Sequence, residues 1–162
     1  MTIRPATISD VPFIALVVVE ALGDDIMERY PEHIGGQDRR RLELLADSIR
    51  TDNTLYSWRH TSIAQDTDGT PLGAIVAYPA DNYMQMRTST FVMLSDLISF
   101  DVESMDAEAH PGEYYVDSIA VVPHARGKVS LYKAKECIEK NIPEEEAVER
   151  LLKFIEEDLK QQ

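Results

Sequence analysis

Glycine and lysine divide this chain at one point, and the division limits what each side can form. All seven glycines lie at or before Gly127, whereas all six lysines lie at or after Lys128. A segment rich in lysine and glutamate, without glycine, favours helices over turns and strands. The sequence therefore predicts a body of mixed structure, residues 1–127. It also predicts a helical C-terminal segment, residues 128–162, which was fused or substituted at this point and packs on the same domain.

The size and charge of the chain exclude several classes of protein. The 162 residues suffice for one domain with a real core, and no apolar run approaches the length of a membrane span. A net charge of −13 disfavours binding to nucleic acid and to anionic membranes. The single cysteine, Cys137, excludes an internal disulfide and is typical of a reducing compartment, so we expect a cytoplasmic protein.

Hydrophobic periodicity and turn residues predict the order of the elements. Asp68-Gly69 is a turn dipeptide between two β-rich runs and predicts a hairpin, and Pro123 ends the strongest strand pattern in the chain. After Pro143, a run of glutamates is typical of a helix N-terminus. The predicted elements are a strand over 2–6, helices over 10–22 and 39–51, the hairpin over 54–80, a helix or broken helix over 81–105, a strand over 113–123, and tail helices over 129–140 and from 143 onward.

Three stretches carry a resemblance to a known family. "TIRPATISDVPFI" resembles the opening strand and helix of the GNAT superfamily of acetyl-CoA-dependent N-acyltransferases. "DGTPLGAIVAY" is similar to its second hairpin, and "YYVDSIAVVPHARGK" is similar to its fourth strand and the start of its acyl-CoA loop. The resemblance covers about residues 2–128. It implies an α/β (α+β) fold with a central mixed or antiparallel sheet flanked by helices, and transfer of an acetyl group from acetyl-CoA to a primary amine of a small molecule or protein.

The resemblance also implies which residues form the site. In the family, the fourth strand pairs with the pantetheine arm as an added strand would, and the following loop directs N–H groups at the pyrophosphate. A carboxylate on that strand is suited to take a proton from an ammonium substrate. The implied catalytic residues are Asp117 and Tyr115, and the implied acetyl-CoA-binding residues are Ile119, Ala120, Val121, Arg126, Gly127 and Lys128.

The sequence departs from the family pattern just after Gly127. The pyrophosphate motif Q/R-x-x-G-x-G/A needs small residues where this chain has Val129 and Leu131, and the segment for the family's last strands is short and reads as helix. A second hypothesis therefore stays open, namely a GNAT-derived scaffold or assembly module without an acetyl-CoA site. An unpaired fourth strand would favour pairing with a second copy, so a homodimer through the sheet edge or the helical tail belongs to this alternative.

Other polar residues suggest turns and solvated surfaces. Asp66 and Asp68 lack the later carboxylate that a calcium loop requires, so a turn is predicted there. The four histidines are scattered and predict no metal site. Glu20, Asp24 and Asp25 suit a solvated helix end better than an amine pocket, and the sequence does not identify the amine.

Overall fold

The computed structural model describes residues 1–97, 106–133, 136–143 and 146–160. The chain divides into two compact units, Met1–Pro123 and His124–Gln162. None of the helices in these ranges is both long and apolar enough to cross a membrane.

The first unit is built around one antiparallel sheet. Its strands pair in the order β1-β2-β3-β4, and within the described ranges β4 pairs with β3 alone, so its second edge is open. The elements of this unit are β1 (Thr2–Pro5), α1 (Val11–Ala21), α2 (Ile26–Arg29), α3 (Gly36–Arg50), β2 (Thr61–Gln65), β3 (Pro71–Pro79), α4 (Tyr83–Met93) and β4 (Tyr114–Val121).

Hydrogen bonds to Asp10 fix the start of the first helix, α1, just after β1. The carboxylate of Asp10 accepts from the backbone N–H of Thr7 at 2.7 Å and from both terminal nitrogens of Arg4 at 2.8 Å. Pro12 stands in the first turn, where its missing N–H costs nothing. Gly23 just past the helix has φ +87°, a conformation that other residues rarely adopt. The predicted helix is therefore confirmed at both ends.

The core lies between the sheet and the helices α1 and α3. The α1 helix is apolar around most of its circumference, and α3 adds Leu45 and Ile49 from one side. The sheet adds Ile63, Val76 and Tyr78, none of which is exposed. Burying one such side chain contributes about 1.5–3 kcal/mol. This layer fixes β3 and β4 against α1.

The opposite face of β4 is apolar and exposed. Tyr114, Val116, Ile119 and Val121 share this face, with 70%, 50%, 61% and 38% of their surfaces exposed. Natural edge strands are commonly protected by lysine, proline or inward charges. We call these four residues the β4 stripe.

The predicted hairpin forms around its glycine turn. Asp66 accepts hydrogen bonds from the backbone of Asp68 and Thr70, and Gly69 has φ +92°. The predicted strand at 113–123 corresponds to β4, and the predicted helix at 39–51 corresponds to α3. Of the helix predicted over 81–105, α4 confirms the first half, and residues 98–105 lie outside the described residues.

The second unit corrects the prediction for the tail. Its elements are β5 (Lys128–Lys133), β6 (Glu136–Pro143) and α5 (Ala147–Lys160), and the two strands pair antiparallel. The helix predicted over 129–140 is therefore wrong, whereas the later helix is confirmed. Pairing places Val129 opposite Ile142, which is 3% exposed, so strand pairing and burial outweigh the helical preference of the lysines and glutamates. The guanidinium Nη1 of Arg150 in α5 lies 3.8 Å from the carboxylate Oε1 of Glu139 in β6.

Candidate active site

A bulge in β4 places one carboxylate out of register. Val76 of β3 lies opposite Ser118 and the next residue, Ala77, lies opposite Val116, so Asp117 is an additional residue without a partner. The burial pattern agrees: with Asp117 set aside, exposed and covered residues alternate without a break from Tyr114 to Val121. The bulge therefore projects a carboxylate from an otherwise regular edge strand.

Two hydroxyl groups hold the Asp117 carboxylate. The Tyr78 hydroxyl donates to Oδ2 at 2.7 Å, and the Ser118 hydroxyl donates to Oδ1 at 2.9 Å. Burial raises the pKa of Asp117 above its ordinary value, while these two hydrogen bonds lower it and the charge of Glu108 raises it further. A carboxylate of raised pKa, with a free lone pair on each oxygen, is suited to accept a proton near neutral pH.

Tyrosines surround this carboxylate. Tyr78 stands between His60 and Tyr115, with ring centroids 5.4 Å and 5.9 Å away, and Tyr83 of α4 meets Tyr115 at 6.2 Å. Burial raises the pKa of Tyr56, and the charge of Asp117 adds to the effect, so this phenol stays neutral. Burial also lowers the pKa of His60 and keeps its imidazole neutral near pH 7. The cluster is therefore aromatic, with a neutral phenol and a neutral imidazole beside its carboxylates, and aromatic faces of this kind attract a cation.

Tyr115 is the second catalytic residue implied by the sequence, and in the structure its hydroxyl bonds to Glu108 and not to Asp117. Its hydroxyl donates to Glu108 Oε2 at 2.9 Å, and burial raises the pKa of Tyr115 to about 12. Its ring packs against Tyr78, which in turn reaches Asp117. Tyr115 is thus part of the aromatic cluster, and its hydroxyl contacts Glu108.

The residues predicted to bind acetyl-CoA fall in both units. In the first unit, Ile119 and Val121 lie exposed on the β4 stripe, and Ala120 is half-buried on the other face. In the second unit, Arg126 and Gly127 are exposed, and Gly127 has φ +66°, a conformation that residues with a Cβ rarely adopt. Lys128 begins β5, so a strand follows the loop where the family pattern needs a helix N-terminus.

Sequence reasoning missed the side chains that β3 and the loops contribute. Tyr78 follows Ala74 and Val76 at a spacing of two, so its inward direction was readable in the sequence. Its pairing opposite Tyr115 depends on the register of β3 and β4, which no local pattern reveals. Glu108 and Tyr56 come from loops, and only the folded chain brings them to this site.

Two other candidate sites receive a structural explanation. Asp24 is bridged by Arg29 at 2.9 Å and Arg41 at 2.7 Å, and Glu20 accepts from the backbone N–H of Met27. These carboxylates therefore stabilise the turn after α1. Within the ranges that the structure describes, no three histidine, cysteine, aspartate or glutamate side chains are grouped to hold a metal ion.

Solved acetyltransferases share this fold. One acetyltransferase crystal structure superposes with a TM-score of 0.58 at 26% identity, covering 78% of this chain and 66% of that one. An N-acetyltransferase from Staphylococcus aureus superposes with a TM-score of 0.55 at 22% identity, covering 78% of this chain and 68% of that one. This chain therefore spans about two thirds of the length of each.

Sequence comparison finds a different enzyme. No family model matches the chain. A stretch of 51 residues, 32% of this chain, is 61% identical to the 4-hydroxy-3-methylbut-2-en-1-yl diphosphate synthase (flavodoxin) of Bacteroides thetaiotaomicron, of which it covers 8%. The corresponding enzyme of Chlorobaculum tepidum is 48% identical over 48 residues, or 6% of its length. The chain thus matches only a short segment of a protein unrelated to the acetyltransferases.

The acetyltransferase structures tell more about the site around Asp117 than the synthase sequences do. The synthase matches span less than a tenth of that enzyme and leave most of this chain unexplained. The acetyltransferase structures cover most of the chain and share its antiparallel sheet with flanking helices. The sheet and helices that position Asp117 therefore have the fold of GNAT-type acetyltransferases, as the resemblance in the sequence implies.

Proposed function

We propose that this chain transfers an acetyl group from acetyl-CoA to a primary amine. The observation that carries the proposal is Asp117, a carboxylate of raised pKa projected by a bulge from the open edge strand of an acetyltransferase fold. Asp117 takes a proton from the substrate ammonium, directly or through water. The free amine then attacks the thioester carbonyl and forms the C–N bond, the C–S bond breaks, and coenzyme A leaves as a thiolate that takes up the proton released by the attacking nitrogen.

The acetyl-CoA substrate is proposed to lie along the open edge of β4. Its pantetheine arm adds to the sheet as a further strand would, next to the backbone of Ile119, Ala120 and Val121. This part of the substrate fits the described residues, because the β4 edge carries no neighbouring strand among them. The pyrophosphate fits less well, since β5 follows Gly127 in place of a helix N-terminus. We therefore expect weaker binding than an intact loop would give.

The presence of β5 directly after Gly127 supports a second candidate function. If β5 removes the phosphate site, the chain is an acetyltransferase-derived scaffold that no longer binds the substrate. Similarity to two unrelated enzymes is what a fused chain would have, and the lysine and glycine content also changes along the chain. In this case the exposed β4 stripe serves assembly with another chain.

Calorimetric titration of the purified protein with acetyl-CoA, with a thermal shift alongside, separates the two candidates. Saturable binding with stabilisation of about 2–3 kcal/mol at a hundredfold excess over Kd supports the enzyme. No heat and no shift up to millimolar substrate would establish the scaffold instead.

The catalytic assignment is tested by release of coenzyme A thiol across a panel of primary amines. Asp117→Asn should lower kcat by about 10²–10⁴, the usual contribution of a general base. Asp47→Asn, which removes an exposed carboxylate of α3, is the matched control and should retain the wild-type rate. Equal rates for both variants would show that Asp117 is not the base.

A further inference from the structure

The donors around Asp117 are unusually well fixed. Tyr78 is fully buried and lies on β3, the central neighbour of β4, and Ser118 is 3% exposed and adjacent to the bulge. Each donates to a different oxygen of the carboxylate. The carboxylate plane is therefore set by two hydroxyls that belong to the sheet, and the side chain cannot rotate without breaking both bonds.

The ring of Tyr78 has little freedom to move. His60 packs against one side at 5.4 Å and Tyr115 against another at 5.9 Å, both in tilted geometries. Full burial and these ring contacts leave the side chain little room to move. The phenolic oxygen is thereby held at the carboxylate, 2.7 Å from Oδ2.

The remaining groups around Asp117 disfavour its charged form. Glu108, from the loop before β4, adds a negative charge, and burial acts in the same direction. Among the described residues, the other titratable groups of the cluster are a neutral imidazole, His60, and three phenols, Tyr56 before β2, Tyr83 of α4 and Tyr115 of β4. The positive charge of Arg87 in α4 acts on Tyr83. Among the residues that the structure describes, Tyr78 and Ser118 have the hydrogen bonds that favour the ionised carboxylate.

We propose that Tyr78 and Ser118 are positioning residues that hold Asp117 as an oriented, ionised carboxylate facing the incoming amine. The inference rests on the proposed function for its catalytic meaning. Its structural part concerns the ionisation of Asp117 alone, and a measurement without substrate can test it.

The test is a ¹³C NMR titration of the Asp117 carboxyl in uniformly labelled protein, with the resonance assigned by its absence in Asp117→Asn. Tyr78→Phe keeps the packed ring and removes one donor, so the titration midpoint should rise by about one pH unit, the effect of one charge-assisted hydrogen bond. Ser118→Ala should move it in the same direction. Tyr83→Phe removes a phenol from the same cluster without touching Asp117, and its midpoint should stay at the wild-type value.

The outcomes are distinct. A wild-type midpoint in both Tyr78→Phe and Ser118→Ala would overturn the proposal, and so would an equal rise in Tyr83→Phe. A selective rise supports it even if the protein does not turn over acetyl-CoA, in which case only the proposed function fails. If it does turn over, the rise of kcat with pH in Tyr78→Phe should move to higher pH together with the NMR midpoint, a shift that a merely structural role would not produce.

Discussion

Asp10 gives the sharpest prediction for the stability of the first unit. Its side chain is 7% exposed and accepts two hydrogen bonds from Arg4 and two from Thr7, all between 2.7 and 2.8 Å. The hydrogen bonds from Arg4 are the largest cause that lowers the pKa of Asp10, from 3.8 to about 2. That difference corresponds to about 2 kcal/mol of folding free energy at pH 7. Asp10→Asn keeps the shape and removes the charge, so it should lose about this amount.

The pH dependence follows from the direction of the shift. The pKa of Asp10 is lower in the folded state, so the unfolded chain binds more protons between about pH 2 and 4 and stability rises with pH there. The contribution is complete above the unfolded pKa and is lost as the pH falls through about 2. The difference between Asp10→Asn and wild type should therefore be largest at pH 7 and shrink towards zero at pH 2.

Urea unfolding followed by Trp58 fluorescence measures this difference, because the single tryptophan lies in the first unit. Asp47→Asn is the control: its carboxylate is 68% exposed and pairs with Arg50 at 3.1 Å, so its removal should cost under about 0.5 kcal/mol. A loss below about 0.5 kcal/mol for Asp10→Asn at pH 7, or an equal loss at pH 2, would refute the reasoning.

Three further predictions concern glycines and strands. Gly73→Ala should destabilise the first unit by about 1–3 kcal/mol in urea unfolding, because a Cβ there would lie 2.8 Å from the carbonyl oxygen of Ala120. A Cβ added at Gly36, at the start of α3, would have no atom within 4 Å, so Gly36→Ala should be neutral or stabilising. An equal loss of unfolding free energy in Gly73→Ala and Gly36→Ala would contradict the steric argument. Glycine at both Val129 and Leu131 should not create tight acetyl-CoA binding in calorimetry, because both positions lie in β5; a large gain in affinity would contradict this. Ile119→Lys should leave the melting temperature unchanged, and if the β4 stripe drives self-association it should lower the mass measured by light scattering, whereas an unchanged oligomer would exclude the stripe as the interface.

Much of the first unit was predictable because its signals are local. The cap at Asp10, the glycine at position 23 and the turn at Asp68-Gly69 each fix an element boundary by conformation or by a nearby hydrogen bond. The apolar run of β4 needs only its own residues to be recognised. Asp117 was singled out through the resemblance of that strand to the fourth strand of the acyltransferase family.

The rest depended on pairings between distant residues. The strand β5 lies in a tail rich in lysine and glutamate, and the pairing of Val129 with Ile142 and Tyr132 with Cys137 reveals a hairpin. The sequence between the two strands, Ala134-Lys135, has none of the usual hairpin-turn residues. Tyr78 likewise reaches Asp117 only because β3 pairs with β4 in one register. Alternation of buried and exposed residues excludes a shift by one residue, but a shift by two keeps the same faces, so the pattern alone does not select one register.

The bulge in β4 has a consequence for how this chain tolerates change. Deleting Asp117 would let Val116 and Ser118 pair with Ala77 and Val76 in an unbroken ladder, and every other side chain of the strand would keep its face. Asp117 is therefore the one residue of β4 that the sheet does not need for its own regularity. A variant that lacks Asp117 should therefore keep the fold of the first unit, because every remaining side chain of β4 stays on its own face. The residue proposed to accept the proton is thus not needed for the pairing of β4 with β3.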